Sequence, residues 1–274
     1  MRDTRILIKG AGEQATGTAH RLFRCGFKVV MTELAQPTMV RRTVSFGQAM
    51  YDGSCEVEGV AALKFEKEGI KDLDQFDWNA IPVFADPDGR LIAQWNPHVI
   101  IDARILKYNH QNCKDQAELV IGLGPGIEAG RDVDIVIETQ RGHGLGQIIE
   151  SGFTQENTGI PGDIGRQSIR RVLRSPRHGV FKSDLNIGDL VQAGQLIGYV
   201  DSEPVHAELT GVLRGLIVSG LEVSAGMKIG DIDPRSKVEA CYTLSDKART
   251  ISGSVLEAIL VHLNRANKGS ARHA

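Results

Sequence analysis

The chain has 274 residues, 41% of them hydrophobic and 24% charged, with a formal net charge of -2. This is the composition of an ordinary soluble globular protein, long enough for two cores rather than one. It excludes a basic nucleic-acid binder, because the densest cationic stretch spreads five arginines over residues 166–177 and reads as a solvated surface. No apolar run approaches the roughly 18 residues that a bilayer crossing needs. The opening Met1-Arg2-Asp3-Thr4-Arg5 leads only into Ile6-Leu7-Ile8-Lys9, too short for a signal-peptide core, so the expected compartment is the cytoplasm.

Arg5 to Lys9 is an apolar strand running into Gly10-Ala-Gly12-Glu-Gln-Ala15, a G-x-G-x-x-A turn, and a helix follows to Cys25 with Gly26 as its stop. A second strand, Lys28 to Thr32, ends at Glu33, about twenty residues after the glycines, where a dinucleotide-binding fold places its ribose-binding acid. In that reading Gly10 makes the turn, Gly12 admits a ligand to the backbone, and the helix N-terminus offers N–H groups to an anion. Further strands are expected at Ile81–Ala85 and Val99–Ala103. Asp102, at the carboxyl end of the latter, either faces a ligand or pairs with Arg104.

The middle of the chain holds three glycine-rich loops. Leu119-Val-Ile121 runs into Gly122-Leu-Gly124-Pro-Gly126, and Asp134 to Glu138 runs into Thr139-Gln-Arg141-Gly-His143-Gly-Leu-Gly146. Asn157-Thr158-Gly-Ile-Pro-Gly162 is the third. Loops of this kind can surround one anion with main-chain N–H groups, Arg141 adding a fixed cation and His143 a titratable imidazole. They can equally be tight structural turns. No metal-ligand spacing, nucleophile elbow or P-loop occurs, so no catalytic residue is assigned and no metal is expected.

The second half repeats itself at an offset of 32 residues: Gly188 to Gly198 matches Gly220 to Gly230, and Gly179-Val180 matches Gly211-Val212. Short alternating strands between glycine turns suggest a symmetric barrel-sandwich of the biotinyl/lipoyl type. The hairpin Asp201-Ser-Glu-Pro-Val205 lacks the lysine of a swinging-arm carrier, which favours a docking or structural role. An amphipathic helix over about Gly253 to Asn264 is expected to pack back on a domain. The expected fold class is therefore α/β plus all-β. A Rossmann-like parallel sheet with the glycine loops occupies 1–165, the barrel-sandwich 166–240, and the returning helix 241–274.

These motifs carry a family resemblance. Ile8 to Gly17, Ala19 to Val30, Ile121 to Gly126, Glu138 to His143, Asn157 to Gly162, Ile229 to Arg235 and Ser245-Asp-Lys-Ala-Arg249 together resemble the YqeB family of selenium-dependent molybdenum hydroxylase system proteins. The resemblance spans essentially the whole chain, departing at Gly144, where the pattern has asparagine, and at Glu13, where it has aspartate. It implies an accessory factor that matures a client molybdenum hydroxylase and binds a small anionic ligand, either molybdenum cofactor or a nucleotide, with no nucleic acid or membrane partner and with a homo-oligomer left open. The binding residues expected are Gly10, Gly12, Glu33, Asp102, Gly124, Gly126, Arg141, His143, Asn157 and Thr158. An NAD-dependent oxidoreductase and a non-catalytic docking scaffold are the alternatives.

The four cysteines are widely spaced and signal neither disulfides nor zinc. Cys25 falls at the negative end of the first helix, which disfavours a thiolate, and is expected to be a packing residue.

Overall fold

Ile6, Leu7 and Ile8 are fully buried, as are Val29, Val30 and Met31, so the first two strands have apolar side chains on both faces and must lie inside a sheet covered on both sides. In the computed structural model, which describes residues 3–160 and 162–270, they form its centre. Contacts divide the chain into one unit of residues 1–35, 46–157 and 245–274 and another of residues 36–45 and 158–244.

The first unit contains β1 (Arg5–Lys9), α1 (Glu13–Arg24), β2 (Lys28–Glu33), α2 (Ala49–Asp52), β3 (Ser54–Val57), β4 (Val60–Phe65), β5 (Ile81–Ala85), α3 (Arg90–Trp95), β6 (Val99–Asp102), β7 (Leu119–Leu123), β8 (Ile135–Ile137), β9 (Ile148–Ile149) and α4 (Asp246–Ser270). One nine-stranded sheet results, in the order β3-β4-β5-β2-β1-β6-β7-β8-β9. The strands from β4 to β8 run parallel, so their carboxyl ends share one edge, and the strand order reverses between β1 and β6. Strand β3 pairs antiparallel with β4 through a turn at Glu58-Gly59, both with positive φ, and β9 folds back antiparallel on β8.

The connections after β6 and β7 lack an α-helix among the described residues: the first holds one 3-10 turn, Lys114–Gln116, and the second holds none. Helix α4 supplies the missing cover, packing on α1, β7 and β8. Glycines permit the approach: a Cβ on Gly17 would press on Ala248, and one on Gly146 would press on Thr250 and Ser254. The helix starts seven residues before the predicted Gly253, capped by Ser245, whose Oγ accepts the Ala248 N–H at 3.2 Å.

The second unit has β10 (Val172–Arg174), β11 (Gly179–Lys182), β12 (Leu190–Val191), β13 (Leu196–Val200), β14 (Glu203–His206), β15 (Gly211–Leu216), β16 (Glu222–Val223) and β17 (Lys228–Asp233). Two antiparallel sheets form, β10-β17-β15-β12 and β14-β13-β11-β16. Adding the 32-residue offset to one sheet order reproduces the other with the halves exchanged. A core of Phe181, Val200, Val212, Leu213, Ile229 and Ile232, all fully buried, lies in this unit, each such side chain contributing about 1.5–3 kcal/mol.

The expected fold class is corrected on both counts. The first sheet is mixed, with antiparallel strands at both edges, rather than a Rossmann-like parallel sheet. The second unit is a pair of antiparallel sheets that does not define a biotinyl or lipoyl barrel-sandwich. It takes in residues 36–45, where the Leu216 N–H donates to the Val40 carbonyl at 2.8 Å, and it buries an Arg171–Asp231 ion pair. A second correction concerns Cys25, which is exposed at the C-cap of α1 and packs no core. Among the described residues no helix is long and apolar enough to cross a membrane.

Candidate functional site

The parallel register aligns Lys9 with Thr32 on one side and with Asp102 on the other, and Asp102 with Gly122. The strand-end side chains thus meet on one edge, where ligands gather in open α/β sheets. Asp102 is 3% exposed, and its Oδ1 and Oδ2 accept from Arg104 Nε and Nη2 at 2.9 and 2.7 Å, with Asn112 Nδ2 on Oδ2 at 2.6 Å. Burial would raise its pKa, but Arg104 and Asn112 together hold it below the usual carboxylate range. Of the two readings left open by the sequence, the geometry gives pairing with Arg104.

Asn112 passes the network on, its Oδ1 accepting from Lys9 Nζ at 2.9 Å. The loop that seats these groups is strained: Ile105, Lys107 and Gln111 all have positive φ, and Ile105 is β-branched. Arg104 Nη2 donating to the His110 carbonyl at 2.7 Å and the Asn109–Asn112 hydrogen bonds keep it closed.

Burial lowers the Lys9 pKa from 10.5 to about 8, with Asp102 opposing and Arg104 reinforcing the shift. Between pH 8 and 10.5 the unfolded chain holds this proton and the folded chain does not, so stability rises with pH across the window and is lowest below it. The rise is about 3 kcal/mol. Urea midpoints at pH 7.5 and 10 should show it in the natural chain and lose it in Lys9→Met; an equal rise in both would contradict the assignment.

Glu33 does not reach outward. Its Oε2 accepts the Ala11 N–H at 2.7 Å and its Oε1 the Leu34 N–H at 2.8 Å, so the carboxylate ties down the glycine turn. Burial raises its pKa, with these N–H groups and Arg104 opposing. Gly10, at φ +94°, lies under Arg104, whose Cα and Cγ are 3.3 Å from where a Cβ would stand. Gly12 is the N-cap of α1. The nucleotide-style placement of Gly10, Gly12 and Glu33 thus describes an internally fastened turn.

Gly124 and Gly126, both with positive φ, turn the chain after β7. Gly126 lies so close to the Lys107 carbonyl that any Cβ would overlap it. After β8, Glu138 is buried and accepts the Gln140 N–H at 2.6 Å and the Gln155 N–H at 2.7 Å. Arg141 grips Asp246, in the first turn of α4, through both terminal nitrogens at 2.5 and 2.7 Å. His143 is exposed. Asn157, also exposed, closes the first unit's run; Thr158 belongs to the second unit, where its Oγ1 accepts the Ile160 N–H at 3.2 Å, and Pro161 of that loop lies outside the described residues.

The sequence reading missed Lys247. It sits half-buried in the first turn of α4, and burial followed by the neighbouring Arg141 charge lowers its pKa against the pull of Glu13, Glu138 and Asp246. Glu138 and Asp246 are hydrogen-bonded elsewhere, and among the described residues the Lys247 amine makes no hydrogen bond or close ion pair. Lys9 and Asn112 were missed too, whereas Arg104 was foreseen only as a partner for Asp102. Only the Ser245–Arg249 motif, polar residues ahead of an amphipathic helix, pointed to this region.

A cavity of about 740 Å³ opens by the first residues of β7 and β8, Leu119 and Ile135. Glu118, Asp134, Glu150 and Glu257 line it beside His262 and Arg265, a predominantly acidic wall that repels anions. Lys9, Arg104 and Arg141 lie at or just beyond the other ends of the strands. Among the described residues no set of His, Cys, Asp and Glu could hold a metal.

A mixed-sheet α/β unit with cations gathered at its strand ends, joined to a repeated β unit, is the class of protein these features define. No protein-family model matches it. The chain is 44% identical over 265 residues to the uncharacterized protein YqeB of Escherichia coli (strain K12), a match covering 97% of this chain and 49% of that protein. The likeness supports the YqeB family, and the chain spans about half the length of this relative.

Solved structures give fainter likenesses. The ectoine utilization protein EutE (DoeB) from Ruegeria pomeroyi is 11% identical over 84% of each chain, with a TM-score of 0.26. An aspartoacylase family protein from Mesorhizobium loti is 12% identical over 54% of this chain and 60% of that one, with a TM-score of 0.24. At these scores neither assigns an activity to this chain.

Proposed function

We propose that the chain is an accessory factor in the maturation of a molybdenum hydroxylase, working in the cytoplasm and supporting sulfur or selenium insertion into its client. Its first unit receives a small anionic ligand, the pterin-phosphate part of molybdenum cofactor or a nucleotide form of it. The observation that carries the ligand reading is Lys247, a half-buried cation beside Arg141 that, among the described residues, makes no hydrogen bond or ion pair, although Glu13, Glu138 and Asp246 act on it from nearby. A phosphate seated there would relieve the repulsion between the two cations in a partly desolvated place, where such contacts are strongest. The client is suggested by the resemblance of the glycine-loop and Ser245–Arg249 motifs.

Calorimetric titration of the chain with molybdenum cofactor and with its nucleotide conjugate tests this. Saturable binding of at least one at micromolar concentration is expected, and undetectable binding of both would end the ligand reading. The oxidoreductase alternative draws no support from Glu33, which serves the turn.

A further inference from the structure

The repeat of the second unit exposes where its two halves differ. Offset by 32 residues, Asp201 corresponds to Asp233, Lys182 to Arg214, Glu203 to Arg235 and Leu209 to Cys241. Lys182 and Glu203 are exposed, so one half of the fold closes with no buried cation at these places. In the other half Arg214 is 7% exposed. It lies at a register shift in β15, between Leu213 paired with Ile232 and Gly215 paired with Asp231, and such irregularities re-aim a side chain.

Arg214 is left without adequate compensation. Asp233, fully buried, is taken up by Arg235, whose Nε and Nη2 reach its two oxygens at 2.9 and 2.6 Å. The contact from Arg214 Nε to Asp233 is 4.0 Å long, and among the described residues that Nε, sealed from solvent, has no hydrogen-bond partner. A second buried guanidinium, Arg41, arrives on residues 36–45 and donates to the Ala240 carbonyl at 3.1 Å. Arg41 and Arg214 both act on the buried Cys241 thiol, whose pKa burial raises; Asp233 and the exposed Glu239 face it as well. Asp233 thus faces two guanidinium groups, Arg235 in hydrogen-bonding contact and Arg214 at 4.0 Å, and Arg41 adds a third positive charge on the Cys241 side of Arg214.

From this geometry we infer that the second unit holds an oxyanion site, centred on Arg214 with Arg41 beside it, that takes a phosphate group. A buried guanidinium whose Nε has no hydrogen bond and whose carboxylate is 4.0 Å away and bonded to another arginine is costly, and its planar donors match phosphate. The site is separate from the Lys247 edge and does not depend on the ligand proposed there.

Inorganic phosphate is the probe, titrated into the full chain by calorimetry at constant ionic strength with chloride as the control. Arg214→Met, close in volume and uncharged, should weaken phosphate binding at least tenfold while the chain stays folded by circular dichroism. Lys247→Met should leave this Arg214-dependent binding in place, which separates the two sites. If Arg214→Met does not fold, Arg214→Lys, which keeps the charge without the fork, replaces it and should weaken binding several-fold. Phosphate binding that is no stronger than chloride's, or unchanged in the Arg214 variant that folds, would overturn the site.

Discussion

Replacing Asp102 with alanine is expected to destabilise the first unit by about 3–5 kcal/mol, the usual loss when one partner of a buried ion pair is removed. Asp102 is the carboxylate for Arg104 and, through Asn112, the anchor for the buried Lys9 amine. Without it two cations face each other at the centre of the sheet edge, and the strained turn from Ile105 to Gln111 loses the arginine that closes it. The melting temperature should fall by roughly 6–20 °C. Adding Lys9→Met to the variant should recover part of the loss, because one uncompensated charge goes with it. A change under about 1 kcal/mol in the single variant would show that Asp102 does not organise this edge.

Gly126→Ala should be nearly as severe. The residue has φ +86°, and its Cβ would overlap the Lys107 carbonyl. The left-handed backbone costs about 1–2 kcal/mol and the forced displacement about 1–3 more, giving a loss of about 2–5 kcal/mol. Gly142→Ala is the comparison: its φ is +134°, but a Cβ would meet nothing within 4 Å, so the loss should be confined to the backbone cost. Equal urea midpoints for the two variants would contradict the close approach of the β6–β7 turn to Gly126.

How far the sequence reveals this molecule follows from what each signal depends on. Strands β1, β2, β5, β6 and β7 are visible because continuous apolar runs end in glycine or acid, and the 32-residue repeat anticipates the exchange of strands between the two antiparallel sheets. Strands β3 and β9 are not visible, since short edge strands such as Ile148–Ile149 have no apolar period to read. The assignment of residues 36–45 to the second unit depends on contacts such as Leu216 with Val40, far apart in the chain. The early start of α4 was hidden because Ser252-Gly253-Ser254 interrupts the apolar period around the buried Ile251, and Thr250 and Ser254 pack against Gly146, where a larger side chain would clash.

The same distinction applies to the site. Gly10, Glu33, Asp102 and Arg141 are legible as chemistry-bearing residues at strand ends, and Arg104 as one of two readings for Asp102, but the other partners are not. Glu33 turns inward to Ala11, Asp102 to Arg104, and Arg141 to Asp246, 105 positions away. Lys247 becomes noticeable only when α4 returns its first turn to the loop after β8, and neither composition nor spacing announces that return.

The affinity of the chain for molybdenum cofactor and its nucleotide conjugate, compared between the natural sequence and Lys247→Met, bears most directly on the account. The variant removes the half-buried cation and keeps the Ser245 cap, so α4 should still fold over β7 and β8. A loss of affinity of at least tenfold with unchanged helicity is the expected result; equal affinity in the two proteins would contradict the placement of the anion at Lys247.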